Sequence, residues 1–185
     1  MAFQFKVVVF IVASVGIAWV SRSSLRNSRS HGFYRFFAWE AIVASILLNL
    51  DYWFYEPLSI HQIVSWLLLI ISLFLLIHGF KLLHIVGKPD SKRSDPSLIG
   101  IEKTTELVKV GAYRYIRHPL YSSLLFLAWG AFFKHPSGVG ISLAVIITFF
   151  LIVTAKIEEA ENIRFFGAVY QSYMKQTKMF IPLLF

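Results

Sequence analysis

The sequence contains no cysteine. Disulfides, thiolate zinc sites and a cysteine nucleophile are excluded together, while the redox state of the compartment stays open. Charge is also scarce: 15% of the residues are charged, against about 25% in an average soluble domain. Compact catalytic motifs are missing as well. The histidines, His31, His61, His78, His84, His118 and His135, show no HExxH or other close ligand spacing, so no protein metal site is expected. No GxGxxG or P-loop pattern occurs, and no serine sits in a nucleophile-elbow context.

Apolar residues take the place of the missing charges, at 57% hydrophobic and 17% aromatic. They fall in runs that approach the roughly 20 residues a membrane helix needs. The pattern predicts an all-α, polytopic integral membrane protein of about five spans, read as a single domain over 1–185. Three N-terminal spans are expected within 1–87, at 3–20, 36–54 and 63–83. The run at 3–20, with Lys6 as its one charge, reads as a first span rather than a cleaved signal. A polar loop follows at 88–118, with Gly, Pro, Ser and Asp at turn-forming density over 87–100. A helical hairpin at 119–156 pairs 119–133 with 139–155 across HPSG, which begins at His135. In the last segment, 157–185, Ile163, Phe166, Val169, Tyr170 and Tyr173 recur at spacings of three and four. That spacing marks an amphipathic helix, with Gly167 signalling a bend or a close backbone approach.

The formal net charge of +8 sits in the loops. Arg22, Arg26, Arg29, Arg35, Lys81, Lys88, Lys92, Arg93, Lys103, Lys109, Arg114, Arg117, Lys156, Arg164, Lys175 and Lys178 collect on one side of a five-span topology. Lys6 and Lys134 remain on the other, with Asp51 and Glu56. The excess of Lys and Arg on cytoplasmic loops then predicts the N-terminus outside, and the 111–123 stretch and C-terminal segment in the cytosol. Charges placed this way argue against a nucleic-acid partner.

Residues 111–123 read GAYRYIRHPLYSS and stand where the basic loop enters an apolar run. Pro119 suits the first turn of a helix, whose free N–H groups, with Arg117 and His118 beside them, would form an anion site. Tyr113, Tyr115 and Tyr121 add ring faces that attract cations. A ligand that is both carboxylate and fixed cation, such as the sulfonium amino acid S-adenosylmethionine, would satisfy both features. The same residues also suit a membrane-edge anchor. A second cluster holds Glu158, Glu159 and Glu161. The first two point about 100° apart on a helix, so one of them could face the junction and hold an amino or ribose group. Acidic residues complementing a helix start are the alternative. Glu40 is expected to pair with Arg35, and His78 to serve packing.

GAYRYIRHPLYSS, with Gly130 downstream, resembles the signature of isoprenylcysteine carboxyl methyltransferases and the related phospholipid methyltransferases, roughly G-x-Y-x-x-x-R-H-P-x-Y-x-G. The tail resembles theirs too, with Glu158 and Glu159, then Phe166, Gly167, Tyr170, Tyr173 and Pro182. The likeness covers about 105–182. It implies a membrane methyltransferase that uses S-adenosylmethionine without a Rossmann domain. By that resemblance the cofactor would lie against Thr105, Glu106, Leu107, Val108, Tyr113, His118, Pro119, Leu120, Tyr121 and Glu158. Arg117 and His118 would position the reactants. Thr154, Lys156 and Glu159 would face the acceptor, a lipid or prenylated molecule entering sideways from the bilayer. The acceptor so implied is an isoprenylcysteine-type carboxylate; the alternatives are a phospholipid amine or a small thiol, or an NADPH-dependent membrane reductase of the sterol-reductase kind. Three positions depart from the pattern. Ser123 replaces the last glycine of the motif and Asn162 a leucine. Thr154 stands where carboxyl methyltransferases commonly carry an arginine, and Lys156 nearby lacks a bidentate fork.

Overall fold

Residues 3–89, 98 and 103–184 are described in a computed structural model. Among the described residues there are six α-helices and no strand, as the all-helical expectation requires. Three helices are long and apolar enough to cross a membrane: α1 (Phe3–Ser21), α3 (Ile60–Ile85) and α5 (Gly138–Phe166). The other two expected spans are α2 (His31–Leu48) and α4 (Pro119–Phe132). At 14 residues α4 is apolar but short, and α2 carries Arg35 and Glu40. A short α6 (Ala168–Gln176) follows α5.

Two helix pairs form the body. α2 packs along α5 and α3 along α4; contacts of α4 with α5 and α2 join the pairs, and α1 lies against α2. The core at the junction takes Ala38 and Ile42 from α2, Tyr121, Leu125 and Ala128 from α4, and Ile147, Leu151 and Ala155 from α5. Lipid tails are as apolar as these side chains, so helices in a bilayer associate through close packing and interhelical hydrogen bonds. Both devices are present. Ala38, Ala128, Ala144 and Ala155 are fully buried. Ser65 donates to the Gly130 carbonyl and Ser72 to that of Ser123, each at 2.7 Å, tying α3 to α4. A Cβ at Gly130 would meet Leu69 at 2.9 Å. Ser123, in the motif's glycine position, is buried with its hydroxyl donated to the Leu120 carbonyl at 2.7 Å.

The helix boundaries depart from expectation in ways that matter for the site. α2 begins at His31, five residues before the expected start, so Arg35 lies one turn inside a helix rather than in a loop. It ends at Leu48, and Asp51 and Tyr52 fall in a 3-10 turn. Glu40 takes its hydrogen bond from Ser14 at 2.6 Å. A contact with Arg35 is disfavoured because five residues along a helix place side chains about 140° apart. α5 runs unbroken for 29 residues, past the expected end at 155. At 1.5 Å per residue it exceeds the roughly 30 Å hydrocarbon thickness, so its last turns carry the glutamate cluster beyond the apolar layer. It stops at Gly167, whose φ of 61° breaks the helix. A Cβ there would meet nothing within 4 Å, so the glycine serves the turn and not a close approach.

The described charges divide between the two ends of the bundle. Lys6 and Asp51 pair at 2.8 Å at the end that holds the α4–α5 hairpin turn. The α1–α2 connection, the 103–118 loop and α6 gather at the other. Lys92 and Arg93 lie outside the described residues.

Candidate active site

The loop after α3 is pinned residue by residue. The Gly87 carbonyl accepts the N–H groups of Thr105 and Glu106 at 3.0 and 3.2 Å. Thr105 donates its hydroxyl to the Lys88 carbonyl at 2.9 Å, and Glu106 pairs with Lys88 at 2.7 Å on the surface. A 3-10 turn follows at Gly111–Arg114. Gly111 has φ 58°, and a Cβ there would sit 2.5 Å from His78 Nε2. The next N–H, of Ala112, donates to that same nitrogen at 3.3 Å. His78 therefore seats the loop on α3, a positional role consistent with the packing expected of it.

The tail beyond α6 lies along the loop as a backbone pairing. Lys178 N–H donates to Tyr115, Arg117 N–H to Lys178 and His118 N–H to Met179, at 3.0, 2.9 and 3.2 Å. Ser122 donates its hydroxyl to the Phe180 carbonyl at 2.8 Å, and Tyr173 to the Tyr113 carbonyl at 2.6 Å. Arg117 crosses the seam, giving Nη1 to the Thr177 carbonyl at 2.8 Å and Nε to Glu159. His118 caps α4, with Pro119 in the first turn as expected. Its Nδ1 is 3.9 Å from Glu158 and its Nε2 3.5 Å from Glu159. The adjacent glutamates thus divide their work: Glu159 is buried against Arg117, while Glu158 turns to a cavity.

That cavity measures about 230 Å³. Thr104, Leu107, Val108 and Tyr113 line it from the loop, and Arg117, His118, Leu120, Tyr121 and Leu124 from the start of α4. Glu158, Asn162 and Phe166 on α5 and Tyr170 and Tyr173 on α6 form the next wall. Arg35 and Trp39 on α2, with Leu76, Phe80 and Leu83 on α3, complete it. Burial pushes the phenols of Tyr170 and Tyr173 up, in Tyr170 with help from Glu158, so both remain neutral donors with intact ring faces.

The structure brings together most of the expected site and sets part of it aside. Leu107, Val108, Tyr113, His118, Leu120, Tyr121 and Glu158 line the cavity. Thr105 and Glu106 face outward on the loop's anchor, and Thr104 takes the wall position. Pro119 is buried behind the wall. On the acceptor side, Thr154 is buried with its hydroxyl given to the Phe150 carbonyl at 2.7 Å. Lys156 is exposed, 3.7 Å from Glu159. Arg35, Trp39 and the α3 residues were not expected in the site. The signal for the α2 pair in the sequence was an arginine followed four residues later by an aromatic, a helical spacing that a loop assignment conceals.

The arrangement can hold a ligand of mixed charge. A carboxylate and four phenol rings offer sites for a cation, and two guanidinium groups offer sites for an anion. This is a helical membrane protein with such a pocket closed by a loop and by α6. A family model for phospholipid methyltransferases matches residues 60–169, from the start of α3 to just past the turn at Gly167. The chain belongs to that family of membrane methyltransferases. Among curated proteins it is 24% identical over 160 residues to the methanethiol S-methyltransferase of Pseudomonas deceptionensis, covering 77% of this chain and 58% of that one. It is also 24% identical over 153 residues to methanethiol S-methyltransferase 2 of Bradyrhizobium diazoefficiens (78% and 58%). With methanethiol S-methyltransferase 1 of the same organism it is 29% identical over 121 residues (64% and 39%). The chain spans less than two thirds of the length of these relatives. No solved structure matches it.

Proposed function

We propose that the protein is an integral membrane methyltransferase that moves a methyl group from S-adenosylmethionine to a small, apolar thiol. The observation that carries the reading is the convergence of His118, Glu158 and the rings of Tyr113, Tyr121, Tyr170 and Tyr173 on one cavity. Ring faces and a carboxylate suit a sulfonium and an amino or ribose group, and Arg117 suits the carboxylate of the same ligand. Bound there, S-adenosylmethionine supplies an electrophilic methyl and leaves as a neutral thioether once an acceptor sulfur has taken it. The protein's part is to position: the laced tail and the Gly111 turn hold His118, Tyr113 and Glu158 in fixed relation.

Two observations favour a thiol over the isoprenylcysteine carboxylate that the resemblance implies. The curated relatives are named for a thiol. Thr154, where carboxyl methyltransferases commonly carry an arginine, is buried with its hydroxyl already used, so that position does not grip a carboxylate. Trp39, Leu76, Phe80, Leu83 and Leu124 give the acceptor side apolar walls, and the thiol loses its proton to solvent. The gathering of cations at the site end supports a cytosolic site with the N-terminus outside.

Headspace gas chromatography of detergent-solubilised protein, incubated with S-adenosylmethionine and methanethiol, should detect dimethyl sulfide. Turnover of a prenylcysteine analogue or of phosphatidylethanolamine, with none of methanethiol, would replace the acceptor. No methyl transfer to any of them would reject the reading.

A further inference from the structure

We propose that Arg35 is the acceptor-selecting residue of this site, holding the acceptor as an anion. The inference deepens the thiol reading above and rests on it. Arg35 is 1% exposed, one helical turn into α2, and lines the cavity together with Trp39. Its guanidinium carbon lies 4.9 Å from the Trp39 ring centroid, and its Nη1 is 3.5 Å from His31 Nε2.

His31 is itself fixed. Its backbone N–H and its Nδ1 reach the two oxygens of Glu161 at 3.3 and 2.5 Å, so a single α5 carboxylate clamps the start of α2. The clamp, the histidine and the ring face hold the guanidinium on the cavity wall. Five N–H donors allow such a group to keep its protein contacts and still receive a ligand.

The chemistry of the reaction gives this placement a purpose. The nucleophile in transfer to sulfur is the thiolate, and apolar surroundings raise a thiol's pKa. A cation that never deprotonates opposes that effect and keeps the acceptor anionic where the apolar walls of Leu76, Phe80 and Leu124 would otherwise favour the neutral thiol. The same cation disfavours an amine acceptor, whose methylated product is cationic. It would also serve a carboxylate, so anionic charge is the selected feature, and transfer to propanethiol set against transfer to hexanoate tells the two acceptors apart. Arg35 lies in α2, outside the matched residues 60–169, so the family likeness over α3–α5 does not specify it.

The test is calorimetry on the full chain in detergent, saturated with S-adenosylhomocysteine and titrated with butanoate and with butan-1-ol. Wild type should bind butanoate at least tenfold more tightly than butan-1-ol. Arg35→Gln should lose that preference, and Arg35→Lys should keep part of it. Equal affinity of wild type for the acid and the alcohol would overturn the inference without any variant. So would an undiminished butanoate preference in Arg35→Gln. Failure of S-adenosylhomocysteine to bind wild type would instead reject the donor reading, and butanoate titrated without it would still decide the role of Arg35.

Discussion

Each end of the bundle buries a cation, and the two are housed differently. At the hairpin end, Lys134 is 1% exposed, with its ammonium 3.3 Å from the Trp66 ring centroid and 5.3 Å from that of Trp53. Gln62 accepts a hydrogen bond from the ammonium at 3.0 Å and donates to the Lys134 carbonyl at 3.1 Å. Enclosed in this way, the charge locks α3 to the hairpin turn. At the site end, Arg35 and His118 are buried and Arg117 is largely so, but all three are on the wall of a cavity. A buried charge that its partners close in on every side is structural; one whose partners hold it facing a cavity can also meet a ligand. Variants at the site end should therefore change binding and stability together, and variants at the hairpin end stability alone.

The largest effect is expected from Glu159→Gln. It breaks the contact with Arg117 where both side chains are largely buried, at a cost of about 3 kcal/mol. Unfolding in detergent should shift accordingly, and S-adenosylhomocysteine binding should fall with it. Gly111→Ala should follow, at about 2 kcal/mol for a non-glycine held at positive φ, with a further loss from displacing His78. Its measurable signature is early protease cleavage of the 103–118 loop. Tyr173→Phe removes the bond to the Tyr113 carbonyl, worth about 1 kcal/mol, and should weaken S-adenosylhomocysteine severalfold.

Lys134→Met should have the smallest effect, within about 1 kcal/mol at neutral pH, because an apolar side chain of similar volume replaces a buried charge. Its signature lies in pH. Burial lowers the Lys134 ammonium from 10.5 to about 8. Between those values the unfolded chain binds the extra proton, so wild-type stability should rise with pH across that window. The variant should lack the rise and bind S-adenosylhomocysteine as wild type does. A loss of binding in Lys134→Met would break the contrast between the two ends.

Much of the site end was legible because its signals are local. Pro119 opens α4 and Gly167 bends the tail. The 100° offset of Glu158 and Glu159 is the reason each has its own partner. What escaped depends on distant partners. The start of α2 looks like an Arg/Ser loop because it is held by Glu161, 130 residues away. Lys134 looks like a solvated loop charge until Trp53, Trp66 and Gln62 are folded around it. The Thr104–Thr105 register fell one residue off because an irregular loop has no periodicity to phase it.

The central claim is that the cavity between the 103–118 loop and α5–α6 binds the methyl donor. Isothermal titration of the detergent-solubilised chain with S-adenosylhomocysteine tests it most directly. The account predicts saturable binding to wild type, weakened at least tenfold by Glu158→Ala and by His118→Ala. Absence of binding to wild type, or full affinity in both variants, would contradict it.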